Sequence, residues 1–163
     1  MFFLEVLRGS KNNNLHTHTE QHRERDTMNK YLKLKTVADK YYPNEGGYCC
    51  VIAAALAMDC SFGKARSAMY RISGRSDRRG MSVTGHLTAL QAMGYKARQL
   101  ELASAKTLVT AQRALQSTKG TYFIYTGRHV TCIKDGVCED WSNNEFGQKK
   151  LYRVESIYKI EKV

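Results

Sequence analysis

The pattern of hydrophobic and polar positions predicts a series of helices in the first half of the chain. Residues 50–58, CVIAAALAM, are apolar on every side, which indicates a helix buried in a core. Residues 62–72 carry an apolar stripe at helical spacing, the pattern of an amphipathic helix. Residues 83–93 repeat that spacing, with Ser82 as the expected N-cap and Gly94 as the expected stop.

The pattern changes to strands toward the end of the chain. Residues 95–102 alternate as a strand does, and residues 104–118 have a further apolar stripe that predicts a helix ended by Gly120. Beyond it, segments rich in Tyr, Val, Ile and Thr follow a period of two. The strands expected from them are 121–125, 129–134, 137–141 and 151–160. The predicted fold class is therefore α+β, with helices first and an antiparallel sheet last.

The first 28 residues differ from the rest of the chain. They show neither a helical nor a strand period and carry few large apolar residues after Leu15. We expect a disordered N-terminal arm over residues 1–28 and a single folded domain over residues 29–163. A short helical or irregular entry is expected at residues 36–42, before a loop that begins at Pro43.

Composition restricts the class of protein. The chain has 163 residues, 42% of them apolar, which suffices for one compact core. No stretch approaches the roughly 18 uninterrupted apolar residues of a membrane-spanning helix, and the N-terminus lacks the features of a signal peptide. The five cysteines form an odd count without a C-x-x-C pair, so a soluble protein of the reducing cytoplasm is expected.

The net charge of +11 is unevenly distributed. Residues 1–28 hold four basic and four acidic side chains, so the whole excess lies in the folded domain. Its densest stretch contains Lys64, Arg66, Arg71, Arg75, Arg78 and Arg79. One interpretation is a solvated helix face whose long side chains cover apolar neighbours. The other is a surface that binds nucleic acid or an acidic partner protein.

Cys50 is the candidate nucleophile. A reactive cysteine needs a low pKa and an accessible sulfur, and the start of a helix supplies unpaired N–H groups and the positive end of the dipole. Cys50 begins the predicted buried helix, just after Gly46 and Gly47, which allow a close approach of a substrate backbone. Its own N–H can help to hold an oxyanion. The alternative is a structural thiol, since free cysteine is among the most buried residue types.

A later hairpin supplies the candidate base. Asp135-Gly136 is a two-residue signal for a type I′ turn, which places Thr131 opposite Asp140. His129 and Asp140 then share one face, on a diagonal that allows an imidazole–carboxylate hydrogen bond. Each residue alone is more often structural than catalytic. A cysteine at a helix start, followed by a histidine and an acid on one hairpin, is nevertheless the order that a Cys/His/Asp hydrolase requires.

The stretches YCCVIAAALAM and GRHVTCIKDGVCEDW resemble the paired motifs of small papain-like cysteine peptidase domains found in bacteriophages and bacteria. The resemblance covers roughly residues 44–141 and implies a papain-like fold with a thiol hydrolase mechanism. It assigns Cys50, His129 and Asp140 to the catalytic triad. Cys49 is a second candidate for the reactive thiol, but Cys50 fits the following Val-Ile of the motif better.

The resemblance also identifies one departure. Papain-like enzymes carry a Gln six positions before the cysteine that donates to the oxyanion, and Asn44, one methylene shorter, stands there in this chain. If its amide cannot reach, the loss of one oxyanion donor costs about 100- to 1000-fold in rate.

Two functions follow as expectations. The first is a thiol hydrolase, phage-encoded and acting in the host cytoplasm, that cleaves a peptide, isopeptide or other amide bond through an acyl-enzyme and needs no cofactor. The second is a catalytically silent papain-like scaffold that binds nucleic acid or an acidic host protein through its basic surface. A zinc site is not expected, because the cysteines and histidines lack the paired spacing of zinc ligands and Cys138 is expected to pack opposite Ile133 in the hairpin.

Overall fold

A computed structural model describes residues 29–74, 80–127, 129–139 and 152–163. Over these residues the chain forms helices α1 (Asn29–Tyr41), α2 (Cys49–Ala57), α3 (Phe62–Ser73), α4 (Val83–Ala92) and α5 (Leu108–Leu115). The strands are β1 (Tyr95–Leu100), β2 (Thr121–Thr126), β3 (His129–Lys134), β4 (Val137–Glu139) and β5 (Val154–Lys162). The predicted α+β class is confirmed. The arm predicted at residues 1–28 lies outside the described residues.

The strands form one antiparallel sheet in the order β1-β5-β2-β3-β4. The last strand of the chain, β5, inserts between β1 and β2, so that β2 and β5 are both interior strands. Sequence-adjacent pairing occurs only from β2 to β4, where short turns connect the strands.

Helices cover both faces of this sheet. On β2, Phe123 and Tyr125 belong to the core that α1 to α4 build on one face. Tyr122 and Ile124 alternate with them and pack with α5 on the other face. Because both faces are covered, β2 is buried almost from end to end, which explains its continuous run of apolar and aromatic residues.

Helix α2 is the centre of the larger core. Every residue from Cys50 to Leu56 is buried, and the helix packs against β3, α1 and α3. The prediction of a helix without a polar face is confirmed, although the helix begins at Cys49, one residue earlier than expected. None of the helices that the structure describes is long and apolar enough to cross a membrane.

Several helix ends follow the capping signals. The Ser82 hydroxyl accepts from the Gly85 N–H at 3.1 Å and starts α4, as predicted. Helix α5 is shorter than the predicted 104–118, because Thr107 and Thr110 form a capping box that fixes its first turn. Helix α1 is longer than the predicted 36–42 and begins at Asn29.

The hairpin of β3 and β4 turns as predicted. Asp135 and Gly136 both have positive φ, 50° and 81°, as a type I′ turn requires. Ile133 pairs with Cys138 in the expected register. The predicted partner of Thr131, Asp140, lies outside the described residues.

Gly136 is where an added side chain would disturb this hairpin most. A Cβ there would lie 2.0 Å from the carbonyl oxygen of Gln116, whereas a Cβ on Gly74, also at positive φ, would meet nothing within 4 Å. We expect Gly74→Ala to lower the free energy of unfolding by about 1 kcal/mol through backbone strain alone. Gly136→Ala adds overpacking against the backbone and should cost about 2 kcal/mol more. Urea denaturation of the two variants checks this difference, and equal losses would contradict it.

Candidate active site

A buried ion pair fixes the loop that precedes α2. Glu45, 7% exposed, accepts a hydrogen bond from Arg66 Nε at 2.9 Å and a longer one from the Tyr70 hydroxyl at 3.3 Å. The Arg66 guanidinium also lies 4.2 Å from the ring centroid of Tyr70 and 4.6 Å from that of Tyr42. The loop is thereby attached to α3, and the start of α2 is held in place.

Tyr48 occupies the N-cap position of α2 without capping it. Its hydroxyl donates to Asp39 on α1 at 3.1 Å, and its ring packs edge-on against Phe62. The side chain forms no cap hydrogen bond to the helix. The Tyr48 carbonyl oxygen accepts from the Ile52 N–H at 3.0 Å, but the Tyr48 side chain satisfies none of the backbone N–H groups in the first turn of α2.

Cys49, the first residue of α2, has its sulfur 3.9 Å from the carbonyl oxygen of Gly47 and near enough to the side chain of His129 for that histidine to affect its pKa. Burial, the largest single effect, raises the pKa of Cys49. The hydrogen bond and charge of His129, together with the backbone N–H groups of Val130 and Cys50, outweigh that effect and bring the pKa below its ordinary value. Cys49 is half-buried, whereas the neighbouring Cys50 is buried.

The candidate base is the first residue of β3. His129 is 7% exposed, and its carbonyl oxygen accepts from the Thr126 hydroxyl at 3.2 Å across the β2–β3 turn. Helix α2 packs against β3, which brings the first turn of the helix to this end of the strand. The Cys49–His129 contact thus joins two elements that are 80 residues apart in sequence.

Cys50, the predicted nucleophile, is more deeply placed. It is 3% exposed, and its sulfur lies 3.8 Å from the carbonyl oxygen of Gly47. It also lies beside Tyr125, whose pKa is raised by burial first and then by the charges of Cys50, Tyr158 and Cys49. Both thiols are therefore within electrostatic range of one tyrosine on β2.

Tyr125 is itself held by a buried histidine. Its hydroxyl lies 2.7 Å from Nδ1 of His86 on α4. The His86 ring is fully buried and stacks on Phe123, with 5.1 Å between ring centroids. These contacts hold Tyr125 in place where it lines the cleft. No sequence motif indicated them.

The two thiols and His129 line a single cleft of about 520 Å³. Its walls come from the loop before α2, the start of α4 and the ends of β2, β3 and β5. The lining residues are Gly47, Cys49, Cys50, Gly80, Met81, Ser82, Val83, Tyr125, Thr126, Gly127, His129, Val130 and Glu155. A cavity of this volume is large enough for several residues of an extended substrate.

The structure places only some of the predicted site residues in the cleft. Cys50 and His129 line the same cleft, whereas Asn44 is exposed and does not line it. Asp140 lies outside the described residues, and its role as orienter stays a prediction. Glu155 was not predicted to line the cleft, because its position there depends on the pairing of β5 with β2.

The described residues include only part of the predicted basic cluster. Lys64 and Arg71 are exposed on α3, while Arg66 is paired with Glu45 inside the fold. Arg75, Arg78 and Arg79 lie outside the described residues. Within the described ranges, no group of three or more His, Cys, Asp or Glu side chains could hold a metal ion.

The chain matches no protein-family model, and no curated protein or solved structure is significantly similar to it. The chemistry of the cleft is therefore the basis for assigning a function.

Arg66 should carry far more of the stability than its exposed neighbour Arg71. Arg66→Ala leaves the Glu45 carboxylate buried without its cation, and we expect it to lower the free energy of unfolding by about 3 kcal/mol. Arg71→Ala on the same helix removes an exposed charge and should change it by less than about 0.5 kcal/mol. Urea denaturation of both variants gives the comparison. A loss for Arg66→Ala as small as that for Arg71→Ala would show that the ion pair does not anchor the loop.

Proposed function

We propose that this protein is a thiol hydrolase with a papain-like fold that cleaves a peptide, isopeptide or other amide bond through a cysteine acyl-enzyme. One observation carries the proposal: Cys49, at the start of a buried helix, and His129 line the same cleft, where the influence of His129 lowers the pKa of the Cys49 thiol. A histidine beside a thiol of lowered pKa is the arrangement that nucleophilic cysteine catalysis needs.

The order of elements supports the papain-like part of the proposal. A cysteine stands at the start of a buried helix, and that helix packs on the strand that begins with the histidine. The antiparallel sheet follows the first helices in the chain, as the resemblance to bacteriophage and bacterial papain-like domains implies.

The reaction then takes two steps. The thiolate attacks the substrate carbonyl carbon and forms a C–S bond, and His129 gives its proton to the leaving amine as the C–N bond breaks. Water, deprotonated by His129, then attacks the thioester, releases the carboxylic acid and restores the thiol. Backbone N–H groups at the start of α2 are suited to hold the oxyanion that forms in each step.

Cys49 is the nucleophile in this proposal. The influence of His129 and of the backbone N–H groups of Val130 and Cys50 favours its thiolate, and Cys49 is more exposed as a residue than Cys50. The motif resemblance instead assigns the role to Cys50, which lines the same cleft. Two single-residue variants separate the two assignments.

Asp140 and Asn44 have supporting roles in the proposal. Asp140 holds the His129 imidazole in the tautomer that accepts a proton at the thiol side, as the third residue of a triad does. Asn44, the counterpart of the oxyanion glutamine, is exposed in the loop before α2 and does not line the cleft. Backbone N–H groups therefore carry most of the oxyanion stabilisation.

The pH dependence of thiol alkylation tests the activation of Cys49. Because its pKa is lowered, we expect iodoacetamide to label Cys49 at a lower pH than Cys60, whose pKa burial raises. His129→Ala removes the hydrogen bond and charge that favour the thiolate, so the Cys49 profile should move to higher pH. For each pH unit by which the Cys49 labelling profile moves upward, labelling below pH 7 should become roughly tenfold slower. Mass spectrometry of the labelled peptides follows each site separately.

Cys49→Ala and Cys50→Ala complete this test. Low-pH labelling should disappear in Cys49→Ala and persist on Cys49 in Cys50→Ala. Low-pH labelling on Cys50 that survives in Cys49→Ala would assign the nucleophile to Cys50 instead. If both thiols label only at the pH of Cys60, the site is not activated, and a catalytically silent scaffold becomes the better description.

A further inference from the structure

Strand β5 carries a bulge beside the cleft. Tyr125 on β2 pairs with Ser156, but the next residue, Thr126, pairs with Val154. Glu155 is therefore the extra residue, with no partner of its own on β2. Bulges of this kind re-aim one side chain and are common next to active sites.

The re-aimed side chain lines the cleft that holds both thiols and His129. A Cβ added to Gly127 would lie 3.1 Å from Oε1 of Glu155, so the carboxylate lies directly over the turn between β2 and β3. Glu155 is exposed, and it is the one carboxylate among the described lining residues. Gly47, Gly80 and Gly127 also line the cleft and contribute no side chain to it.

The Glu155 carboxylate differs in its ion pairing from Glu161, the other carboxylate of β5. Among the described residues, no cationic side chain forms an ion pair with Glu155, whereas Glu161 on the same strand pairs with Lys159 at 2.9 Å. The negative charge of Glu155 is therefore positioned to interact with a substrate bound in the cleft.

We propose that Glu155 is a specificity-determining residue that binds a cationic group of the substrate, a lysine or arginine side chain or a free amine, next to the bond that is cleaved. This inference rests on the hydrolase function proposed above. The overall charge of +11 repels cations at long range. Selection of a cationic substrate therefore has to come from a local carboxylate, and an arginine or lysine gains a charge-assisted hydrogen bond there.

Small thiol reagents of different charge measure the field of Glu155 directly. Methanethiosulfonates with a trimethylammonium, a neutral methyl or a sulfonate group each form a mixed disulfide with the thiol and release methanesulfinate. We expect Glu155→Gln to lower the ratio of cationic to neutral reaction rates at the cleft thiols by roughly 3- to 10-fold. Glu161→Gln removes a carboxylate of the same strand that does not line the cleft, and it should leave the ratio unchanged. Peptide mass spectrometry separates the cleft thiols from Cys60 and Cys138.

Peptide probes then test the substrate class. Dipeptides with a thiol-reactive electrophile and either Arg, Gln or Glu beside it should label the wild type fastest with Arg. Glu155→Gln should lose the preference for Arg and keep its rate with Gln. A reagent ratio or an Arg preference that does not change in Glu155→Gln overturns the inference. If the reagent ratio falls but no dipeptide labels the wild type, the carboxylate acts as described and the proposed hydrolase function is what fails.

Discussion

The packing of α2 against β3 is the constraint on which the site depends. The helix has no polar face, so it is stable only where protein surrounds it, and α1, α3 and the sheet provide that enclosure. The first turn of this buried helix lines a cleft, and so does the first residue of β3. The thiols at its start therefore meet His129 as a consequence of burying apolar surface further along the helix.

The position of Cys49 at the start of α2 has two opposing effects on the pKa of its thiol. Taking a thiol out of water favours its neutral form, and for Cys49 this is the largest single influence on its pKa. The thiolate is favoured only because a histidine and two backbone N–H groups converge on the same sulfur. Partial burial also has a benefit, since a site that excludes water strengthens each of those interactions. The rigid loop before α2, held by Glu45 and Arg66, keeps the geometry fixed.

Local signals in the sequence were sufficient for much of this structure. The all-apolar run predicted α2, and the Asp135-Gly136 turn predicted the register of β3 with β4. These predictions succeed because neighbouring residues along the chain determine them. The extent of α1 was missed because its sequence is rich in lysine and only Tyr31 and Ala38 are fully buried.

The contacts of the site were harder to predict, because they depend on how elements rotate and shift against one another. Successive residues of a helix point about 100° apart, so the start of α2 and its rotation on β3 decide which of Cys49 and Cys50 faces His129. The sequence pattern does not encode that rotation. The bulge at Glu155 is similar: it arises where β5 pairs with β2, and alternation within β5 alone gives no sign of it.

The charges of the protein show why local geometry has to be considered apart from composition. A net charge of +11 suggests affinity for anions, and Lys64 and Arg71 are exposed in agreement with that. Arg66 is drawn into the fold by Glu45, however, and the charge that the described residues present to the cleft is the carboxylate of Glu155. Long-range steering and recognition at the cleft can then favour opposite charges on one partner. A protein with an acidic surface and a basic residue at the point of cleavage satisfies both.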